Sequence, residues 1–281
     1  MAGPTSSSST LLSRANLQQF PWWLLLIIIF LAIMGYQIVV GEDFRRAYNY
    51  IIGGSGGLDA LLQGNILATV GRGVSLTIYT TLVGFFFAMI IGLLAGLGRI
   101  SRNVLTRTIA ITYVEFIRGV PTLVLLFTLA LVIVPEALRF LGIDVSAISM
   151  TTRGIAALSI IYGAFLAEVF RAGIESVAKG QMEAARSLGM NYRQAMRHII
   201  LPQAVRNILP ALGNDFIAML KDSSLLSVLA IREITQMGRL HAGATFRFRE
   251  TYLVLTFLYL MMTISLSLLL RWYERRISGG R

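Results

Sequence analysis

Six ionisable side chains stand inside stretches otherwise too apolar to hold them: Glu115, Arg118, Glu168, Asp215, Lys221 and Asp222. A charge at the centre of a bilayer costs at least ~2.5–3.5 kcal/mol, so such groups face a protein interior or a wet path, or pair with each other. Glu115 and Arg118 are spaced i,i+3 and could pair on one helical face as a static bridge. Glu168, near the inner end of its stretch, admits the same bland reading. Asp215 and Asp222 are seven residues apart and fall on nearly one face, with Asn214, Ala218 and Lys221 forming an adjoining strip. Lys221 and Asp222 point about 100° apart, so they cannot neutralise each other within one helix. A zwitterion offers one ammonium and one carboxylate, which a carboxylate and a lysine can match by charge-assisted hydrogen bonds. Gates or inter-subunit bridges that never touch a cargo account for the same residues equally well.

Other chemistries find no support. Ser55 in Gly53–Gly57 has the spacing of a nucleophile elbow, but the only histidines are His198 and His241, far from it in sequence. A Gly-rich flexible loop explains that stretch better. The chain has no cysteine, which excludes disulfides, thiolate metal sites and thiol nucleophiles. It carries neither His-Glu-x-x-His nor a Gly-x-x-x-x-Gly-Lys-[Ser/Thr] phosphate loop. Any work drawn from ATP must therefore be done by another polypeptide.

These charges need apolar helices to position them. Of 281 residues, 56% are hydrophobic and 14% charged, against about 25% charged in soluble domains. A soluble enzyme is excluded. The net charge of +11 suits cytoplasmic loops of a membrane protein better than nucleic acid. Spanning helices need about 20 apolar residues, and six stretches qualify: Trp22–Val40, Val74–Leu97, Val104–Val134, Gly154–Phe170, Leu209–Ile231 and Tyr252–Leu270. The third is interrupted by Glu115, Arg118 and Pro121. Gly92 and Gly96 are spaced for close helix packing.

Loops on one side hold fourteen basic and three acidic residues; the other side holds nine and seven. Both termini are expected in the cytoplasm. Met1–Gln19 is Ser-rich and reads as disordered, and the first helix reads as uncleaved. The 41–72 segment reads as an external loop.

The cytoplasmic segment Arg171–Arg206 reads as two short helices. Gln181–Leu188 has good helix formers, Gly189 is placed for a left-handed cap, Asn191 can cap a second helix, and Pro202 is expected to end it. Small Ala184 and Ala185 would let another backbone approach, and Glu183 adds a directional charge. The string Glu183-Ala184-Ala185, Gly189, Ile199-x-Leu201-Pro202 resembles the EAA signature of permease subunits in binding-protein-dependent ABC importers. Glu115 to Pro121, Ala167-Glu168-x-x-Arg171, and Asn214 to Leu225 are similar to the polar amino-acid (histidine/glutamine-type) branch. The resemblance runs from about Gly73 to Arg271; Asp215 stands where Glu is commoner.

The resemblance implies an all-α polytopic membrane protein of six spanning helices, a five-helix core with an extra N-terminal helix. Its organisation would be a tail (1–20), the added helix and external loop (21–72), the importer core (73–271) and a cytoplasmic tail (272–281). It implies uptake by alternating access, with no catalytic residue, metal or cofactor on this chain. ATP and Mg would bind two cytoplasmic ATPase subunits. Further implied partners are a second permease, identical or homologous, an external solute-binding protein, membrane lipid and a polar amino acid as small-molecule cargo, with no nucleic acid. The EAA loop would couple to the ATPase, and the buried charges would line a path or gate. The implied location is a prokaryotic inner membrane. A permease for another organic ion, or a self-contained secondary transporter or channel, are the rivals; the second leaves the docking loop unexplained.

Overall fold

The computed structural model describes residues 22–52 and 72–278. The Ser55 loop, the N-terminal tail and the last three residues lie outside the described residues. All regular structure among the described residues is helical, as expected. Four helical stretches are long and apolar enough to cross a membrane: Gly73–Arg99, Thr122–Phe140, Met150–Glu175 and Phe248–Arg276. A bent pair, Leu24–Val40 with Glu42–Ile52, makes a fifth if it counts as one span.

The first helix, α1 (Trp22–Val40), turns by 97° into α2 (Glu42–Ile52). Gly41 sits at the corner, where a Cβ would lie 2.8 Å from the Gln37 carbonyl oxygen. Residues 42–52 are helical and not the loop expected there. The missed signal is an amphipathic one: Glu42 and Asp43 suit the positive helix start, and Ala47, Tyr48, Ile51 and Ile52 form one buried face.

Helix α3 (Arg72–Arg99) packs along α7 (Met150–Glu175). Cβ atoms at Gly92 and Gly96 would come within 2.6 Å of Leu166 Cβ and 2.8 Å of the Ala167 carbonyl oxygen. Small residues let the two backbones meet, which is how helices associate where lipid supplies no hydrophobic drive.

Between them the expected single span over 104–134 is two helices. α4 (Val104–Gly119) is capped by Asn103, whose side chain accepts from the Leu105 and Thr106 amides. Val120 is then extended, with φ −112° and ψ 140°, because a residue before proline avoids the helical region. After Pro121 the chain resumes as α5 (Thr122–Thr128), a π turn (Leu129–Ile133) and α6 (Val134–Phe140).

That π turn has a twin. The Val134 amide bonds to the Leu129 carbonyl just before Pro135, and the Leu201 amide bonds to the Met196 carbonyl just before Pro202. Proline lacks an N–H and its ring crowds the carbonyl four residues back; a widened turn removes that conflict. Pro202 therefore does not end the second docking helix, contrary to expectation. Beyond α8 (Lys179–Ser187), the helical run from α9 (Tyr192–Ala195) through the π turn (Met196–Ile200) and α10 (Leu201–Asp222) is unbroken. The expected span over 209–231 is the later part of that run, followed by a 3-10 segment, Ser223–Leu229, that stops at left-handed Ala230. α11 (Ile234–Thr245) and α12 (Phe248–Ser278) complete the chain. The main core joins α3, α5, α7 and α10 around fully buried Leu126, Leu158, Ile161 and Met219.

Candidate docking loop and polar path

The loop after α8 is closed by a Schellman cap. The Met190 amide bonds to the Ala185 carbonyl at 3.1 Å and the Gly189 amide to the Arg186 carbonyl at 3.0 Å. This needs Gly189 at φ +83°, as the spacing suggested. Asn191 and Gln194 then form a capping box. Both caps were legible in the sequence.

The loop has an inward and an outward side. Ala185 is buried, so only Ala184 of the alanine pair faces outward with Glu183. Val177, Ile200, Ala204 and Ile208 form a small core beneath, joined by half-buried Ile199. Asn207 Nδ2 donates to Ser176 Oγ at 2.8 Å, tying α10 to the end of α7. Leu201 and Pro202 are exposed. Leu188 is 81% exposed and Tyr192 60%, two apolar side chains on a polar loop that motif reading passed over. They share the loop with outward-facing Glu183.

Around Glu115, Arg118 and Glu168 the charges pair differently from expectation. Glu115 and Arg118 form no bridge with each other among the described residues. Arg99, only 14% exposed at its side chain, takes both acids: its guanidinium lies 2.7 Å from Glu168 and 3.8 Å from Glu115. Arg171 also pairs with Glu168 and with Glu175. Arg118 points to the exterior. Glu168 thus links α3 and α7 through two guanidiniums while its own side chain stays partly exposed. In the sequence, Arg171 is legible only as a motif position and Arg99 stands just beyond the apolar stretch ending at Leu97.

On α10 the polar residues separate into two faces. Asp215, Ala218 and Asp222 turn toward the core: Ala218 packs on it, and Asp222 Oδ2 accepts from Tyr162 Oη at 2.8 Å. Asp215 Oδ2 is buried without a hydrogen-bond partner among the described residues. Asn214 and Lys221 are exposed. Lys221 borders a 450 Å³ cavity with Ser224, Thr235, Tyr259 and Thr263. Lysine and aspartates therefore do not meet in this single chain. A hydroxyl in mid-span must find a partner, and that signal at Tyr162 could have pointed to Asp222.

Fully buried Glu233 caps α11, accepting from the Thr235 and Gln236 amides at 2.9 and 2.8 Å. Tyr259 Oη donates to it at 3.1 Å. Burial raises its pKa to about 7, against the lowering effect of those hydrogen bonds. Burial also lowers the pKa of His241, whose ring lies 5.0 Å from that of Tyr50. No group of three or more metal-ligating side chains occurs among the described residues.

Residues 88–279 match a family described as binding-protein-dependent transport system inner membrane component. A probable amino-acid permease protein of Bacillus subtilis (strain 168) is 38% identical over 210 residues, covering 75% of this chain and 92% of the relative. The glutamine transport system permease protein of Escherichia coli (strain K12) is 34% identical over 206 residues, 73% of this chain and 91% of the relative. The solved structure of an amino acid ABC transporter with histidines superposes with a TM-score of 0.66 at 37% identity, covering 78% of this chain and 97% of that one. An inward-facing methionine ABC transporter, with a TM-score of 0.60 at 21% identity over 73% and 94% of the two chains, shares the fold.

Proposed function

Since the chain belongs to the family of inner membrane components of binding-protein-dependent transport systems, we propose that it is the permease subunit of an ATP-driven importer of polar amino acids. The relatives named as amino-acid and glutamine permeases support this cargo class. The observation that carries the mechanism is the unbroken helical run from the docking loop to Asp215 and Asp222.

In this reading, Glu183, Ala184, Leu188 and Gly189 dock on a cytoplasmic ATPase that holds ATP and Mg. Two such ATPases serve a pair of permeases, and a solute-binding protein delivers the amino acid from outside. Both termini lie in the cytoplasm. ATPase closure displaces the loop, and α10 passes that displacement to the polar residues. The unpaired Asp215 carboxylate suits the ammonium of an amino acid, and Lys221 suits a carboxylate brought to its cavity. Repacking of these faces against the second permease would open the path alternately to either side.

The test is reconstitution of the complex in proteoliposomes with labelled glutamine, histidine and arginine. Uptake should need ATP, the ATPase and the binding protein together. Uptake by this chain alone on an ion gradient would overturn the reading in favour of a secondary transporter. Competition by a different organic ion but not by amino acids would replace the cargo. A reporter at the C-terminus should read cytoplasmic and one at Gly56 external.

A further inference from the structure

Two cavities run end to end along the face of α10 turned away from Asp215 and Asp222. The outer one, 420 Å³, lies between Ile78, Leu82, Leu220 and Met262. The inner one, 360 Å³, lies between Gly213, Ile217, Leu269 and Tyr273. Phe216 and Leu266 line both, so they form one groove between α10 and α12. Its α12 wall runs from Met261 to Tyr273, about 18 Å at 1.5 Å per residue. That is close to the depth of one leaflet of a ~30 Å hydrocarbon core.

The charge at its inner mouth identifies an occupant. The helices are antiparallel, with Leu270 filling the space where Gly213 lacks a side chain. Seven residues below Gly213 on the same face of α10 is Arg206; six residues beyond Leu270, and seven beyond Leu269 on its face, is Arg276. Those offsets are about 10 and 9 Å of helix rise, so the register brings two arginines level across the mouth. Both are exposed, and neither joins an ion pair among the described residues. Arg276 lies over the Trp272 ring, 4.4 Å from its centroid, at the level where Trp and Tyr meet headgroups. Glu274, four residues beyond Leu270, is half-buried one turn below it on the same side of α12, so the mouth carries two arginines and one carboxylate. Two exposed guanidiniums against one carboxylate leave the mouth net positive, which suits an anion with an apolar tail.

We propose that this groove is a binding site for an anionic phospholipid, one acyl chain lying along Phe216 and Leu266 and the phosphate held between Arg206 and Arg276. The assignment rests on the cytoplasmic placement of both arginines in the reading above, but its readout is lipid retention, which does not depend on transport.

The full-length chain is purified from nanodiscs of equal phosphatidylglycerol and phosphatidylcholine, and bound lipid is counted by native mass spectrometry. Phosphatidylglycerol should be retained roughly tenfold over phosphatidylcholine, and glycerol phosphate should not compete. Arg206→Ala with Arg276→Ala, two surface changes, should abolish the preference. Leu266→Trp should remove the bound lipid altogether. Equal retention of both lipids, or an unchanged preference in the double arginine variant, would overturn the proposal. So would competition by glycerol phosphate, which would make the site a phosphate site only. The absence of native cysteine allows a clean last arm. Efficient disulfide cross-linking between copies carrying Ile217→Cys and Leu269→Cys would show a second chain covering the groove and sink the lipid assignment. If lipid is retained as expected but ATP-driven uptake fails, the importer reading fails alone.

Discussion

Tyr162 Oη donates to Asp222 Oδ2 at 2.8 Å, a bond that joins the C-terminal end of α10 to α7, the most buried of the candidate spans. Tyr162→Phe keeps the ring and removes the donor. The expected loss is roughly 1 kcal/mol, the scale of one hydrogen bond between membrane helices. A lowered thermal unfolding midpoint in purified protein checks it; an unchanged midpoint means Asp222 is satisfied without Tyr162.

Gly189 stands at φ +83° with nothing within 4 Å of where a Cβ would project. A substitution there meets backbone strain and no clash. Gly189→Val should cost roughly 1–2 kcal/mol locally and open the Schellman cap, so uptake and ATPase co-purification fall while membrane insertion is normal. Gly189→Asn, which tolerates that conformation better, should retain most activity. Equal behaviour of the two variants would remove the cap from the docking mechanism.

Asp215→Asn and Lys221→Met separate a cargo path from a gate. In an assembled complex, a path residue changes apparent affinity or the range of amino acids carried. A gate residue changes coupling of ATP hydrolysis to uptake and leaves selectivity alone. Wild-type range and affinity in both variants would take the pocket off α10.

Glu233 should make stability depend on pH. Its folded pKa, about 7 because of burial, lies above the ordinary glutamate value. The folded state therefore holds its proton more tightly than the unfolded one. The resulting contribution is complete below the ordinary glutamate range, declines as pH rises, and is lost once pH passes about 7. Glu233→Gln copies the protonated form and should flatten that decline. Thermal midpoints at pH 5, 6, 7 and 8 check it, and parallel curves for the two proteins would refute it.

What could be read in the sequence was local. Gly189, Asn191 and the Gly92–Gly96 pair each act within a few residues of themselves, so their spacing announced caps and close packing that the structure contains. Pro121 was seen as an interruption, but its effect on Val120 was needed to see a complete break. Pro202 misled because its outcome depends on whether the preceding turn can widen. Arg99 could not be matched to Glu168 in advance, since 69 residues separate them and only the packing of α3 on α7 brings them together. The inward turn of Ala185 and the outward turn of Leu188 were hidden for the same reason. Each is decided by what lies underneath.

Under the importer reading, the run from Tyr192 to Asp222, unbroken at Pro202 and carrying Pro210 within it, is expected to rock about Gly213, where Leu270 fills the space of the missing side chain. Leu201 lies about 18 Å to one side of that point and Asp222 about 13 Å to the other, at 1.5 Å per residue. A rocking motion of roughly 10° that pushes the docking end by about 3 Å swings Asp222 by about 2 Å in the opposite sense. That travel is sufficient to break its bond to Tyr162. The arm lengths also fix a mechanical ratio: displacement at the polar end is always somewhat smaller, and the available force correspondingly larger, than at the loop.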